Sequence, residues 1–170
     1  MNPAALETWN GNWAWGLPLI ALCTVIHVFF LGLLNERFVW AMSLVAGRRW
    51  FVSVFAVVMS LTVTLITLLH GLEAALWAAS YYLLGALPDA RSASLYSLSA
   101  ITTYGHADLY LEPHWRLMGA LEALNGMILF GLTTAFLFSM IQRVWPLPRW
   151  ARARVAAMQR LELQHHDHGN

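Results

Sequence analysis

A chain of 170 residues that is 59% hydrophobic and 11% charged carries too few charges for a water-soluble fold, in which about a quarter of residues are charged. Lipid is its expected solvent. A formal net charge of +1 argues against a nucleic-acid partner, and a single cysteine, Cys23, excludes an intrachain disulfide framework.

Residues 1–15 contain no Lys or Arg, so no basic leader precedes the first apolar run, which is expected to stay in the mature protein. Residues 16–34 are uncharged apart from the ionisable His27 and Cys23. About 20 apolar residues cross about 30 Å of hydrocarbon, and lipid offers no partner to backbone N–H and C=O groups, so a spanning helix is predicted. Residues 38–46 form a short apolar piece before Gly47, Arg48 and Arg49. It is either an interfacial helix or extra length on the first span. A second uncharged span covers residues 51–69, and its helical pattern continues through residues 72–84 to a break at Pro88.

The third span, residues 117–141, contains one charge, Glu122, and ends before Pro146 and Pro148. The tail beyond is basic and closes on His165, His166 and His168. At roughly 25 residues it is too short for an independent domain. Its arginines invite anionic lipid, and its histidines read as a disordered tail or a metal-binding cluster. All ten basic residues are arginines; three lie between the first two spans and five after the third. Basic residues favour the cytoplasmic side, so the N-terminus is expected outside and the C-terminus in the cytoplasm. Trp9, Trp13, Trp15, Trp40 and Trp50 fall near the predicted interfaces, where indoles are favoured. No row of arginines marks a voltage sensor.

The chemistry is concentrated between the second and third spans. Residues 93–103, ASLYSLSAITT, are small, apolar and hydroxylated, which predicts a short helix of re-entrant type. Non-helical backbone at membrane depth is tolerated where it lines water or is buried in protein, so the stretch after this helix is expected to line a cavity.

The order helix, short helix, Thr-Thr-x-Gly-x-x-Asp, helix resembles the potassium-channel pore family. The match is ungapped over residues 95–108, where Tyr96-Ser97, Thr102-Thr103 and Tyr104-Gly105-His106-Ala107-Asp108 stand against aromatic-Ser, Thr-Thr and x-Gly-Tyr-Gly-Asp. Trp115-Arg116, Gly126, Phe130-Gly131 and Thr134-Ala135 resemble the pore-lining inner helix, with Gly126 at the hinge glycine. His70, Glu73, Trp77 and Tyr81 resemble the outer helix of small bacterial members. The likeness covers residues 50–145; the first span is an addition.

The resemblance implies a homotetramer in which Thr102 to Asp108 line the ion path and backbone carbonyls replace a cation's hydration shell. Three positions depart from the pattern. Ala107 replaces the second filter glycine, and a Cβ in a left-handed conformation costs about 1–2 kcal/mol. His106 replaces the tyrosine, and Tyr104 replaces a small branched residue. His106 either faces the outer mouth as a titratable ring or packs behind the filter on Tyr96 or Ser97. Asp108 either attracts cations or is a solvated loop acid.

Glu122 lies six residues past Arg116, about 9 Å deeper in a helix, near filter depth, with Asn125 on its face. A charge in a span is expensive and usually functional. Glu122 either faces the cavity or joins Tyr96, Ser97, His70 and Glu73 in supporting the filter; His70 and Glu73 share a helix face. Gly126 is either a gating hinge or a site of close helix packing. His27, His70 and His114 match no ligand motif.

The expected protein is therefore all-helical: three transmembrane helices, a re-entrant pore helix and a filter-like loop. Residues 1–49 form the extra span and basic linker, 50–145 the pore module and 146–170 the tail. The expected function is passive conduction of K+, or of monovalent cations including Na+, through a multi-pass protein of the bacterial inner membrane. No enzymatic activity, cofactor or metal is expected. The alternative, carried by His106 and Ala107, is a non-conducting channel-like protein that acts as a sensor or assembly partner.

Overall fold

The computed structural model describes residues 3–45, 49–105 and 108–144, and the side chains of residues 3–8 are not described. Helix α1 runs Pro3–Val45, α2 Phe51–Leu83, α3 Ala90–Ile101 and α4 Arg116–Val144, with a 3₁₀ turn at Pro113–Trp115 before α4. The described residues contain no strand. Helices α1, α2 and α4 are long and apolar enough to cross a membrane, as the hydropathy pattern predicts. The protein is accordingly a multi-pass membrane protein.

Residues 38–45 prove to be extra length on the first span, because α1 continues through them without a break. Its 43 residues extend about 64 Å, roughly twice the hydrocarbon thickness. Pro18 lies inside the helix, a position spanning helices tolerate when neighbours re-satisfy the freed backbone.

The chain divides into two compact units, Met1–Thr134 and Ala135–Asn170. The first contains α1, α2, α3 and the N-terminal part of α4. In the second, the described residues are the C-terminal end of α4.

Within the first unit, each spanning helix buries one stripe at three- and four-residue spacing. On α1 the stripe includes Asn12, Gly16, Cys23, His27, Leu31, Phe38 and Met42; on α2, Thr62, Ile66, Leu69, Glu73, Trp77 and Tyr81; on α4, Met118, Glu122, Asn125, Leu129 and Thr133. The outward faces are apolar instead, with Phe29 68%, Val57 67% and Leu68 65% exposed. Polar groups inside and apolar groups outside is the arrangement lipid selects, since ionisable groups in spans face the bundle interior. Thr62, Thr64 and Thr67 bond their hydroxyls to carbonyls four residues back, so no hydroxyl of that run needs water.

Helices α2 and α3 end alike. After α2, Gly85 takes φ 65°, its N–H bonds to Tyr82 O, and Ala86 N–H bonds to Tyr81 O. This is the Schellman arrangement, which closes the last carbonyls of a helix. The turn sends the chain into α3, which packs against α2. Ala86 O then accepts from Glu112 N, joining the segment that enters α3 to the segment that leaves it.

Candidate functional site

Helix α3 is capped at both ends by its own sequence. At its start the Asp89 carboxylate accepts from Ser92 N at 2.9 Å and from Ser92 Oγ at 2.7 Å. These bonds, the backbone one foremost, hold Asp89 below the usual carboxylate range. At its end Thr102 Oγ1 donates to Leu98 O at 2.7 Å. Thr103 N–H bonds to Ala100 O and Tyr104 N–H to Ser99 O, a second Schellman arrangement. Its left-handed position is filled by Thr103 at φ 59°, a conformation unusual for a β-branched residue.

Gly105 follows at φ 77°. Thr102, Thr103, Tyr104 and Gly105 are all exposed, Tyr104 by 86%. His106 and Ala107 lie outside the described residues, and Asp108 is exposed in a bend.

The inner face of α3 is held by Glu122, which is fully buried. Tyr81 OH donates to Glu122 Oε2 at 2.6 Å, and Ser97 Oγ lies 2.5 Å from Glu122 Oε1 and 2.6 Å from Ala74 O. Three helices therefore meet on one carboxyl group. Tyr96 packs edge-on to Tyr81 with ring centroids 5.5 Å apart, and its hydroxyl lies where a Cβ on Gly119 would stand. About two turns further on, α4 passes the end of α3 so closely that a Cβ on Gly126 would collide with the carbonyl of Ile101. A cleft of about 370 Å³, lined by Tyr96, Thr103, Gly105, Tyr110, Gly119 and Ala123 among others, lies between the end of α3, the following segment and α4.

A second polar cluster joins α1, α2 and α4. His27 Nδ1 lies 2.9 Å from Glu73 Oε1, and His27 Nε2 lies 3.1 Å from Thr133 Oγ1. His70 Nε2 lies 3.3 Å from the same threonine oxygen, and His70 Nδ1 lies 3.1 Å from Glu73 Oε2. That last pair is close enough for an ion pair but lacks hydrogen-bond geometry. Phe130 stacks on His70 at 4.5 Å. His114 takes no part; its carbonyl accepts from Asn12 Nδ2 at 2.6 Å at the start of α4.

The structure thus divides the site residues read from the sequence. Tyr81, Ser97 and Glu122 meet, as do His70 and Glu73, and Tyr96 stands beside the first group. Thr102 to Gly105 form the exposed end of α3. Sequence reasoning paired His70 with Glu73 by their spacing but missed His27 and Thr133, 46 and 60 residues away from Glu73. Their signal was a polar residue on each buried stripe. Asn12 was also missed: it is 2% exposed and accepts from Met118 N at 3.1 Å. Comparison with protein-family models, curated proteins and solved structures finds no match for this chain.

Proposed function

We propose that the chain is the subunit of a passive cation channel, in which four copies bring the segment Thr102 to Asp108 around a common axis. The observation that carries this reading is the seating of α3. It is a 12-residue helix fixed to two spanning helices through Ser97, Glu122 and Tyr81, and it ends in four exposed residues with two left-handed backbone positions. A helix C-terminus carries about half a negative charge, so the anchored end of α3 offers a cation a favourable field. Left-handed residues let successive carbonyls turn toward one side, as replacement of a hydration shell requires.

One such segment cannot enclose a path, so the tetramer belongs to the proposal. The permeant ion is K+, with Na+ next, and the reading is conduction rather than catalysis. The arginine distribution supports an outside N-terminus, a cytoplasmic C-terminus and a re-entrant α3 that enters from outside the bacterial inner membrane. A hinge at Gly126 would have to open the contact with Ile101.

One observation favours the second reading, a channel-like protein that conducts nothing. Thr103 turns the chain back over α3 instead of starting an extended strand. Flux from liposomes loaded with K+ or Na+, against protein-free liposomes, separates the readings. Conduction predicts cation efflux that depends on the protein. Absence of flux, with flux appearing in the His106→Tyr, Ala107→Gly double variant, would establish the second reading.

A further inference from the structure

The His27 cluster is a closed ring. Glu73 Oε1 meets His27 Nδ1, His27 Nε2 meets Thr133 Oγ1, Thr133 Oγ1 meets His70 Nε2, and His70 Nδ1 returns to Glu73 Oε2. Three of these contacts are hydrogen bonds, each with a proton between its atoms, and the fourth sets two lone-pair atoms side by side. An ionised carboxylate has none to give, two neutral imidazoles have one each, and the threonine hydroxyl has one. The ring is therefore one positive charge short.

The geometry locates the shortfall. His70 Nδ1 and Glu73 Oε2 approach to 3.1 Å without hydrogen-bond geometry, and both atoms are buried. Two lone pairs facing each other in an apolar interior repel, and a cation seated between them reverses the sign.

We propose that His27, His70 and Glu73 are the protein ligands of a divalent transition-metal site of the zinc class at the junction of α1, α2 and α4. Their donor atoms all lie within 4.8 Å of one another. Zinc–nitrogen bonds of about 2.0–2.1 Å in a tetrahedron separate ligand atoms by about 3.3 Å, so on binding the three donor atoms would draw together from a spread of up to 4.8 Å, with Glu73 Oε1 already 2.9 Å from His27 Nδ1 and Glu73 Oε2 3.1 Å from His70 Nδ1. Two imidazoles and one carboxylate suit zinc-like ions, whereas calcium and magnesium take mainly oxygen.

The proton count then closes. Ligation through both Nδ1 atoms fixes both Nε2 atoms as donors, and Thr133 Oγ1 has two lone pairs to accept them. Outer partners of this kind orient ligating histidines. A fourth position would be left for a solvent ligand, and the Glu73 carboxylate would offset part of the ion's charge, which is costly at membrane depth. Entry is at His70, whose side chain is 12% exposed while that of Glu73 is fully covered. The site would clamp α1 to α2 and is independent of whether the protein conducts.

The test uses the full chain with His165→Ala, His166→Ala and His168→Ala, so that the tail adds no metal, in lipid nanodiscs stripped with chelator. Co2+ is the probe. The expected result is one Co2+ per chain with the visible bands of a tetrahedral site, displaced by Zn2+, and lost in both His27→Gln and Glu73→Gln. Folding of these variants is checked by helical content and elution volume. Failure to retain Co2+, or equal retention in His27→Gln, would overturn the proposal and leave a proton as the ring's missing charge. Should both glutamine variants fail to fold, X-ray absorption of the Co2+-loaded tail variant decides. Two imidazoles with oxygen in the first coordination shell support the site, and any other ligand set refutes it.

Discussion

Thr103 ends α3 in the backbone conformation with which Gly85 ends α2: both stand at the left-handed position of a Schellman turn, at φ 59° and 65°. Glycine adopts it freely, whereas a side chain there costs about 1–2 kcal/mol. Thr103→Gly is therefore expected to stabilise the protein and raise its Tm by about 2–4 °C, and Gly85→Ala to lower it by a similar amount. If Thr103 supplies oxygens to a permeating ion, Thr103→Gly also reduces flux. Stability and function then move in opposite directions, as expected where strain is held for function. A fall in Tm for Thr103→Gly would show that its side chain contributes more than its backbone costs.

How much of this was legible in the sequence follows from the physics of each element. The three spans were legible because lipid demands long uninterrupted apolar runs, and the end of α2 because Pro88 punctuates the chain after it. The short helix was expected over residues 93–103 and lies at Ala90–Ile101; the Asp89 cap moved its start. The left-handed Thr103 was not legible, since a β-branched residue argues against that conformation. The His27–Glu73 contact joins residues 46 apart, and periodicity says only that each faces inward.

Glu122 should tolerate glutamine and not alanine. Ser97 Oγ approaches both Ala74 O and Glu122 Oε1 with one proton to donate, while Tyr81 donates to Glu122 Oε2. The contacts close when the carboxyl group carries a proton of its own and donates it to Ser97 Oγ. A glutamine amide reproduces this pattern of one donor and one acceptor. Glu122→Gln is thus expected to stay within about 1 kcal/mol of the parent. Glu122→Ala strands the buried Tyr81 hydroxyl at about 1–3 kcal/mol, while Ser97 keeps its bond to Ala74 O. Infrared spectroscopy should find a protonated-carboxyl band that Glu122→Gln removes. Its absence from the parent would refute the count.

Gly126 and Gly131 lie on the same helix and should respond in opposite ways. A Cβ on Gly126 meets the backbone carbonyl of Ile101, which cannot step aside, whereas one on Gly131 meets nothing within 4 Å. Gly126→Ala is expected to cost about 1–3 kcal/mol by overpacking and to displace the end of α3. Gly131→Ala is expected to be neutral or to gain up to about 1 kcal/mol of helix propensity. Thermal melts of the two variants in the same detergent give the comparison. Equal melts would remove the case for close packing at Gly126.

Asp89 makes the cap of α3 sensitive to acid. Its carboxyl group, in the connection between α2 and α3, is held below the usual range by the Ser92 N–H and then the Ser92 hydroxyl. A depressed folded-state value means that the contribution is present above the unfolded value, about 4, and is lost as pH falls through the folded one. Protection of the first-turn amides of α3, taken relative to the intrinsic exchange rate at each pH, should fall below about pH 4. Asp89→Asn keeps an oxygen that can cap and should remove that pH dependence. An acid-induced loss of protection that persists unchanged in Asp89→Asn would place the sensitive group elsewhere.

Asn12 makes the first span part of the same folding unit as the helices it precedes. A helix begins with four N–H groups that lack intrahelical partners, and near a membrane interface few waters serve them. Asn12 Oδ1 accepts one of these, from Met118 N, while its Nδ2 donates to His114 O in the preceding turn. The amide thus fits a donor and an acceptor that α4 presents side by side, and it is buried to 2% exposure. Leucine at this position keeps the volume and loses both bonds, stranding the buried Met118 N–H at about 1–3 kcal/mol and removing a donor from the part-buried His114 carbonyl. Asn12→Asp keeps the acceptor but sets a second acceptor against the His114 carbonyl, so it should fail nearly as badly. Asn12→Gln presents the same groups one methylene further out and should rescue only in part. If Asn12→Leu melts with the parent, the apolar stripe and the His27 contacts hold α1 without Asn12. If it melts several degrees lower, and truncation of residues 1–45 abolishes folding, the first span is a structural necessity for α4.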